Sequence, residues 1–193
     1  MAKIFIGGES VDAVSGETYD VINPATGEVV DSVAKGNEDD TRRAIDSATE
    51  AFPEWAASAA ESRAHLIQKG IELVKNEIDN LSVTLTKEQG KPVSESKREI
   101  EHFLHGMSFY AGLASKIRGS YVPLPNNSMY GMVLKQPVGV CGAIVPWNFP
   151  ITLMGTKIGP ALAAGCTSIV KPASTTPLAT VRIVELLNQA GLP

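Results

Sequence analysis

The chain has 193 residues, 44% of them hydrophobic and 20% charged, with a formal charge of -4 and a pI near 5.4. That apolar share suffices for one sizeable core or two small ones, which excludes a natively disordered chain. The acidic balance, with Lys and Arg scattered among Asp and Glu, excludes a polyanion-binding surface and leaves small molecules or proteins as partners.

The first twelve residues carry one early lysine, Lys3, and a short apolar run cut by Gly7, Gly8 and Glu9. They lack the apolar core of a secretory signal, and no stretch approaches membrane-spanning length, so the expected location is cytoplasmic. Strands are predicted over residues 3–7, 19–22 and 28–33, the last two joined by the turn Asn23-Pro24-Ala25-Thr26-Gly27, as a small sheet edge or surface ribbon. Asn37 caps a helix whose first turn is acidic (Glu38, Asp39, Asp40) and whose apolar stripe is Ala44, Ile45, Ala48 and Phe52; Pro53 is expected to end or bend it.

A second helix is expected from about Glu61, with Leu66, Ile67, Ile71, Leu73, Val74 and Ile78 on one broad face. A third over residues 81–88 stops at Gly90-Lys91-Pro92, a C-cap glycine and a helix-breaking proline. A fourth, capped by Ser94, runs to about Ile117 with Ile100, Phe103, Leu104, Met107, Tyr110 and Ala114 inward; Phe109 and Leu113, off that stripe, suggest a second covered side. The run Lys97-Arg98-Glu99 reads as a solvated face.

Residues 120–136 then read as a hairpin: Tyr121 to Leu124, a Pro125-Asn126-Asn127-Ser128 turn, and Met129 to Leu134, an arm of the kind that pairs with another subunit. An apolar strand follows over 138–145, a helix over 152–164, a strand over 167–170 and an amphipathic helix over 178–190. This β-α-β-α order is the opening of a Rossmann-like parallel sheet with helices on its faces, making the fold class α/β with a preceding helical layer. Cys141 and Cys166 fall in its apolar strands and are expected as small core thiols rather than a disulfide.

Two segments carry chemistry. Pro146-Trp147-Asn148-Phe149-Pro150 lies at the C-terminal end of the first parallel strand, where open sheets of this kind place ligands. Its prolines restrict the backbone around Asn148, whose neutral amide offers two N–H donors, as an oxyanion hole requires. On the residues alone an equal alternative is that Asn148 satisfies the turn's own backbone and Trp147 fills a core gap. Val170-Lys171-Pro172-Ala173-Ser174 ends the second strand, where an ammonium reaches ribose hydroxyls or a phosphate; the plain alternative is a solvated lysine. No Gly-x-Gly-x-x-Gly follows the first strand. His102 with His105, or His65 with Glu61, share a helix face, but no further metal ligands stand at supportive spacing, and they read as solvated or packing histidines.

At these segments the chain resembles the aldehyde dehydrogenase superfamily: Pro146-Trp147-Asn148-Phe149-Pro150, then Gly159-Pro160-Ala161-Leu162-Ala163-Ala164-Gly165, then Lys171-Pro172-Ala173-Ser174 before Thr176-Pro177-Leu178. The likeness extends back through Gly90-Lys91-Pro92 and the turn at Asn23 to the start. It implies an oxidoreductase that oxidises an aldehyde to a carboxylic acid with NAD or NADP through a cysteine thiohemiacetal and thioester. Asn148 would be the side-chain oxyanion donor; Ile144, Val145, Pro146, Trp147 and Asn148 would line the cofactor crevice with Lys171, Pro172, Ala173 and Ser174, and Lys171 would hold the adenosine ribose. Members preferring NAD often carry Glu where this chain has Ser174, so NADP is expected to be accepted at least as well as NAD.

The motifs of the nucleophilic cysteine and the basic glutamate are absent, and Cys141 and Cys166 match structural positions of the family. The chain is therefore expected to be an inactive N-terminal portion: residues 1–119 the strands and helical layer of the cofactor-binding domain, 120–137 the arm of an oligomerisation domain, 138–193 the start of the NAD(P)-binding sheet. The complete protein would be a homo-oligomer, dimer or tetramer, acting on a small-molecule aldehyde, with no nucleic-acid or membrane partner. Phe149, Met154 and the helix from Ser94 are the parts that would reach the substrate funnel. The rival reading is a non-catalytic truncated binding or assembly module. Expressed alone, a sheet cut after two strands exposes an apolar edge and is expected to aggregate.

Overall fold

A computed structural model describes residues 1–126 and 128–193. Gly7 and Gly8, both at positive φ, close a two-residue hairpin between β1 (Ile4–Ile6) and β2 (Glu9–Val11). This Gly-Gly connection is a standard hairpin signal, yet the periodicity of the sequence predicts only its first strand. β3 (Thr18–Ile22) and β4 (Val29–Ala34) pair antiparallel across the predicted turn, where Asn23 Oδ1 accepts from Ala25 N–H at 2.9 Å.

The helical layer comprises α1 (Glu38–Ala57), α2 (Ala60–Asn76), α3 (Ile78–Gln89) and α4 (Val93–Leu113), the last continued by a 3₁₀ turn over Ala114–Lys116. Asn37 and Asp40 form a reciprocal capping box at α1, and the buried Asp40 carboxylate also accepts from Val14 N–H. Pro53 does not end α1, which runs on to Ala57. The reason is tertiary: the buried Trp55 donates its indole N–H to Leu162 O at 3.2 Å, holding the last turn in place. Ile45, expected on the inner stripe, faces out.

α3 ends at Gly90 in the left-handed conformation, φ +92°, with a Cβ there meeting Pro24 Cγ at 2.7 Å. α4 starts at Val93 after Pro92, and Ser94 makes no cap, because the proline already fixes the backbone entering the helix. Ile100, Phe103, Met107 and Ala114 are buried as expected; Phe109 and Leu113 are exposed in this chain, since no element of it reaches that side of α4.

β5 (Ser120–Pro123) and β6 (Tyr130–Val133) form the expected hairpin, solvated over nearly its whole length, with the Tyr121 and Tyr130 rings 5.9 Å apart. The predicted turn includes Asn127, which lies outside the described residues. β7 (Val140–Ile144) and β8 (Thr167–Lys171) pair in parallel, linked by α5 (Pro150–Ala163), and α6 (Leu178–Gln189) follows. α5 begins two residues earlier than expected, with Pro150 in its first turn, where its missing N–H costs nothing. The chain is thus an α/β unit whose helical layer packs on the first two β-α repeats of a parallel sheet.

The two layers meet closely along α4 and α5. A Cβ on Gly155 would sit 2.6 Å from the Phe103 ring, and one on Gly159 would sit 2.6 Å from the Tyr110 ring. Arg63 donates to Ala163 O at 3.2 Å and Trp55 to Leu162 O, which also accepts from Gly165 N–H, so two side chains of the helical layer hold the last carbonyls of α5. Among the described residues no helix is long and apolar enough to cross a membrane.

Candidate functional site

Parallel pairing places Ile144 directly opposite Lys171, so the loops leaving β7 and β8 emerge at the same end of the sheet. Val145 N–H donates to Lys171 O at 3.2 Å and extends the pairing into the first loop. The two predicted segments are therefore neighbours, in the crevice at the carboxyl ends of the strands.

In the first loop Ile144 is 74% exposed and Trp147 59%, while Val145 is turned into the core. Trp147 therefore does not fill a core gap. Pro146 and Asn148 are exposed, and among the described residues nothing in the chain hydrogen-bonds the Asn148 carboxamide. That amide does not stitch the turn, which removes the plain alternative for it. In the second loop Lys171 and Ser174 are exposed and Pro172 and Ala173 half-buried; the Lys171 ammonium has no ion-pair partner among the described residues. A hollow of about 300 Å³ runs beside both loops, lined by Ile22, Pro24, Glu88, Gln89, Trp147, Thr175 and Thr176. A larger one, about 510 Å³, lies between the N-terminal residues, α3 and α6 and touches neither loop.

The loops are held from behind by two glutamates of the helical layer. Glu99, on α4, accepts at Oε1 from Ile151 N–H at 2.8 Å and Thr152 N–H at 3.3 Å, the first turn of α5. Its other oxygen pairs with Lys91, whose ammonium also donates to Asn148 O at 2.8 Å and lies 4.4 Å from the centre of the Phe149 ring. Glu88, on α3, accepts from Leu178 N–H at 2.7 Å and Ala179 N–H at 3.0 Å, the first turn of α6. Both glutamates are buried, each residue 2% exposed. Burial raises the pKa of Glu88 to about 7, against the lowering effect of its two N–H donors, and the Glu99 charge adds to the rise.

Glu99 corrects the expectation of a solvated Lys97-Arg98-Glu99 face. Its signal was present: Glu99 shares the inward row of Ser96, Ile100, Phe103 and Met107, and Glu88 follows Leu81 and Leu85 at helical spacing. A carboxylate on an apolar stripe marks a buried charge with a distant partner. Met154 is fully buried and reaches no surface of this chain, so it contributes to no substrate funnel here. Cys166 is buried and Cys141 half-buried, both as free thiols; burial and the neighbouring Cys166 push the Cys141 thiol up, away from an activated nucleophile. His65, His102 and His105 are exposed.

The sequence profile of the Aldehyde dehydrogenase family matches residues 11–193. A glutarate-semialdehyde dehydrogenase of Pseudomonas putida is 44% identical over 191 residues, which are 99% of this chain and 40% of that protein. A succinate-semialdehyde dehydrogenase of Escherichia coli, named for NADP(+), is 43% identical over 191 residues with the same two coverages. Among solved structures, an NADP dependent enzyme of E. coli matches with a TM-score of 0.97 at 42% identity, over 100% of this chain and 40% of that one. The chain thus spans about 40% of the length of the curated relatives it matches.

Proposed function

Since the chain belongs to the aldehyde dehydrogenase family, we propose that it supplies the oxyanion donor and part of the nucleotide crevice of an enzyme that oxidises an aldehyde to a carboxylic acid with NAD or NADP. The observation that carries this reading is Asn148: exposed, unspent on its own turn, and set at the carboxyl end of β7 by a loop anchored in the helical layer. When a thiolate adds to an aldehyde, the carbonyl oxygen becomes an alkoxide. A fixed, neutral N–H donor lowers that barrier without the reorganisation that water would need.

Neither Cys141 nor Cys166 is assigned the nucleophile's role. We read residues 1–119 and 138–193 as parts of the cofactor-binding domain, and 120–137 as the arm of an oligomerisation domain in a dimer or tetramer. The solvated apolar hairpin supports the arm.

A bound nicotinamide nucleotide would take up the hydride released as the thiohemiacetal collapses. The residues fit one: Lys171 presents an ammonium with no ion-pair partner among the described residues at a strand end, Ser174 presents a small neutral side chain beside it, and Ile144, Pro146 and Trp147 form an exposed apolar wall. With Ser174 in place of a carboxylate, nothing there repels a 2′-phosphate, and the relative named for NADP(+) supports the same preference.

The glutarate- and succinate-semialdehyde dehydrogenases among the relatives make aldehydes bearing a distal carboxylate the first to assay. The test is reduction of NAD and NADP by the whole protein with succinate and glutarate semialdehydes. Asn148→Ala is expected to lower kcat by about a hundredfold or more, the usual scale for one oxyanion donor. Wild-type activity retained in that variant would refute the assignment, and a hundredfold preference for NAD would refute the reading of Ser174.

A further inference from the structure

We propose that Lys91 and Glu99 act as positioning residues for Asn148, a single ion pair that fixes the oxyanion loop at both ends; the proposal rests on the assignment of Asn148 as oxyanion donor. Five contacts converge on the pair. Lys91 Nζ donates to the backbone oxygen of Asn148 itself, at 2.8 Å, which restricts the peptide plane from which the carboxamide projects. The same ammonium lies 4.4 Å from the centre of the Phe149 ring, pinning the next residue. Glu99 holds the start of α5: Oε1 accepts from Ile151 and Thr152 N–H, and its backbone oxygen accepts from Thr152 Oγ1 at 3.1 Å.

Neither charge comes from the sheet layer. Lys91 follows directly on Gly90, whose left-handed turn packs against Pro24, and Glu99 is set in α4, which packs on α5 through Gly155 and Gly159. The loop is therefore referenced to the helical layer as well as to its own proline-restricted backbone. The Lys91 side chain is 11% exposed and that of Glu99 1%. A pair so desolvated is a costly way to add stability, since apolar residues of similar volume serve as well or better, but it aims hydrogen bonds with little freedom. For an oxyanion donor that is the property that counts, because a displacement of about 1 Å costs on the order of a hundredfold in rate.

The experiment uses the whole protein and steady-state kinetics with a semialdehyde and NADP. Lys91→Met alone strands the buried Glu99 carboxylate and costs stability, so Lys91→Met/Glu99→Gln, which removes both charges together, carries the test. The double variant is expected to lose roughly tenfold in kcat with the aldehyde KM unchanged, and its Ile151 and Thr152 amides should exchange faster with solvent. Lys91→Arg, which keeps the donor and the charge, should restore most of the rate. The triple variant should lose no more in total than Asn148→Ala alone, so that adding Asn148→Ala to the double variant costs about tenfold less than adding it to the wild type, because the clasp acts only through that amide.

A wild-type kcat in the double variant, beside a large loss in Asn148→Ala, would overturn the positioning role and leave the oxyanion reading standing. Faster exchange with no loss of kcat would do the same. Independent, additive losses would show that Lys91 acts elsewhere and would also overturn it. No loss in Asn148→Ala, or no aldehyde-dependent reduction by the whole protein, would overturn the oxyanion reading and this proposal together.

Discussion

The two loops at the end of the sheet are built on one plan with different electrostatics. Each follows a parallel strand and leads into a helix whose first turn donates two N–H groups to a buried glutamate of the helical layer. Behind the Asn148 loop the glutamate is neutralised by Lys91, which also grips the loop. Behind the Ser174 loop, Glu88 makes no ion pair among the described residues, and burial lifts its pKa to about 7. The lesson is that a helix N-terminus accommodates a buried carboxylate in two ways, with a counter-charge beside it or with a proton below neutrality. The first way suits the aiming role proposed for the Asn148 loop; the second leaves a loop whose support depends on pH.

The largest expected effect breaks the first arrangement. Glu99→Ala leaves Lys91 buried without its partner and two N–H groups uncapped, and should destabilise the whole protein by about 3–5 kcal/mol in urea unfolding. A loss below about 1 kcal/mol would mean that the pair is solvated rather than buried.

Next comes the pH dependence of the second arrangement. The folded pKa of Glu88 lies above its unfolded value of 4.5, so between those values the folded state binds the extra proton. Stability from this group is therefore fully present below about pH 4.5 and is lost as pH rises through 7, by about 3 kcal/mol from the size of the shift. Most of that loss should appear as a fall in unfolding free energy between pH 5 and pH 8 that Glu88→Gln removes; equal slopes in the two proteins would show that Glu88 keeps its proton affinity near that of a solvated carboxylate.

Gly155→Ala sharpens the comparison, because only the first loop depends on a glycine-lined seam; α3 and α6, which serve the second, contain no glycine. The added methyl meets the Phe103 ring and should cost about 1–3 kcal/mol, with kcat falling in step if the seam transmits position to Asn148. The smallest expected effect is Ser174→Glu, which should move cofactor preference toward NAD by roughly tenfold, a carboxylate facing a partly solvated phosphate. An unchanged NADP to NAD ratio would place the 2′-phosphate elsewhere.

Much was legible from the chain alone. Period-3.6 stripes located the helices, turn residues located two of the three hairpins, and the β-α-β-α order placed both motifs at strand ends. Local rules failed where a distant contact overrode them: Pro53 sits mid-helix because Trp55 is tied to Leu162, and Phe109 stays exposed although its pattern suggests cover. Residue chemistry by itself determined that Asn148 carries a neutral donor, that Lys171 carries a cation at a strand end, and that Ser174 carries no charge. Only the tertiary structure decided that Glu88 and Glu99 are buried, and that Lys91, 57 residues from Asn148 in sequence, holds that loop. The physical reason is that a charge on an apolar stripe is stable only with partners, and those partners, helix N-termini and a lysine after a left-handed turn, come together when the layers pack.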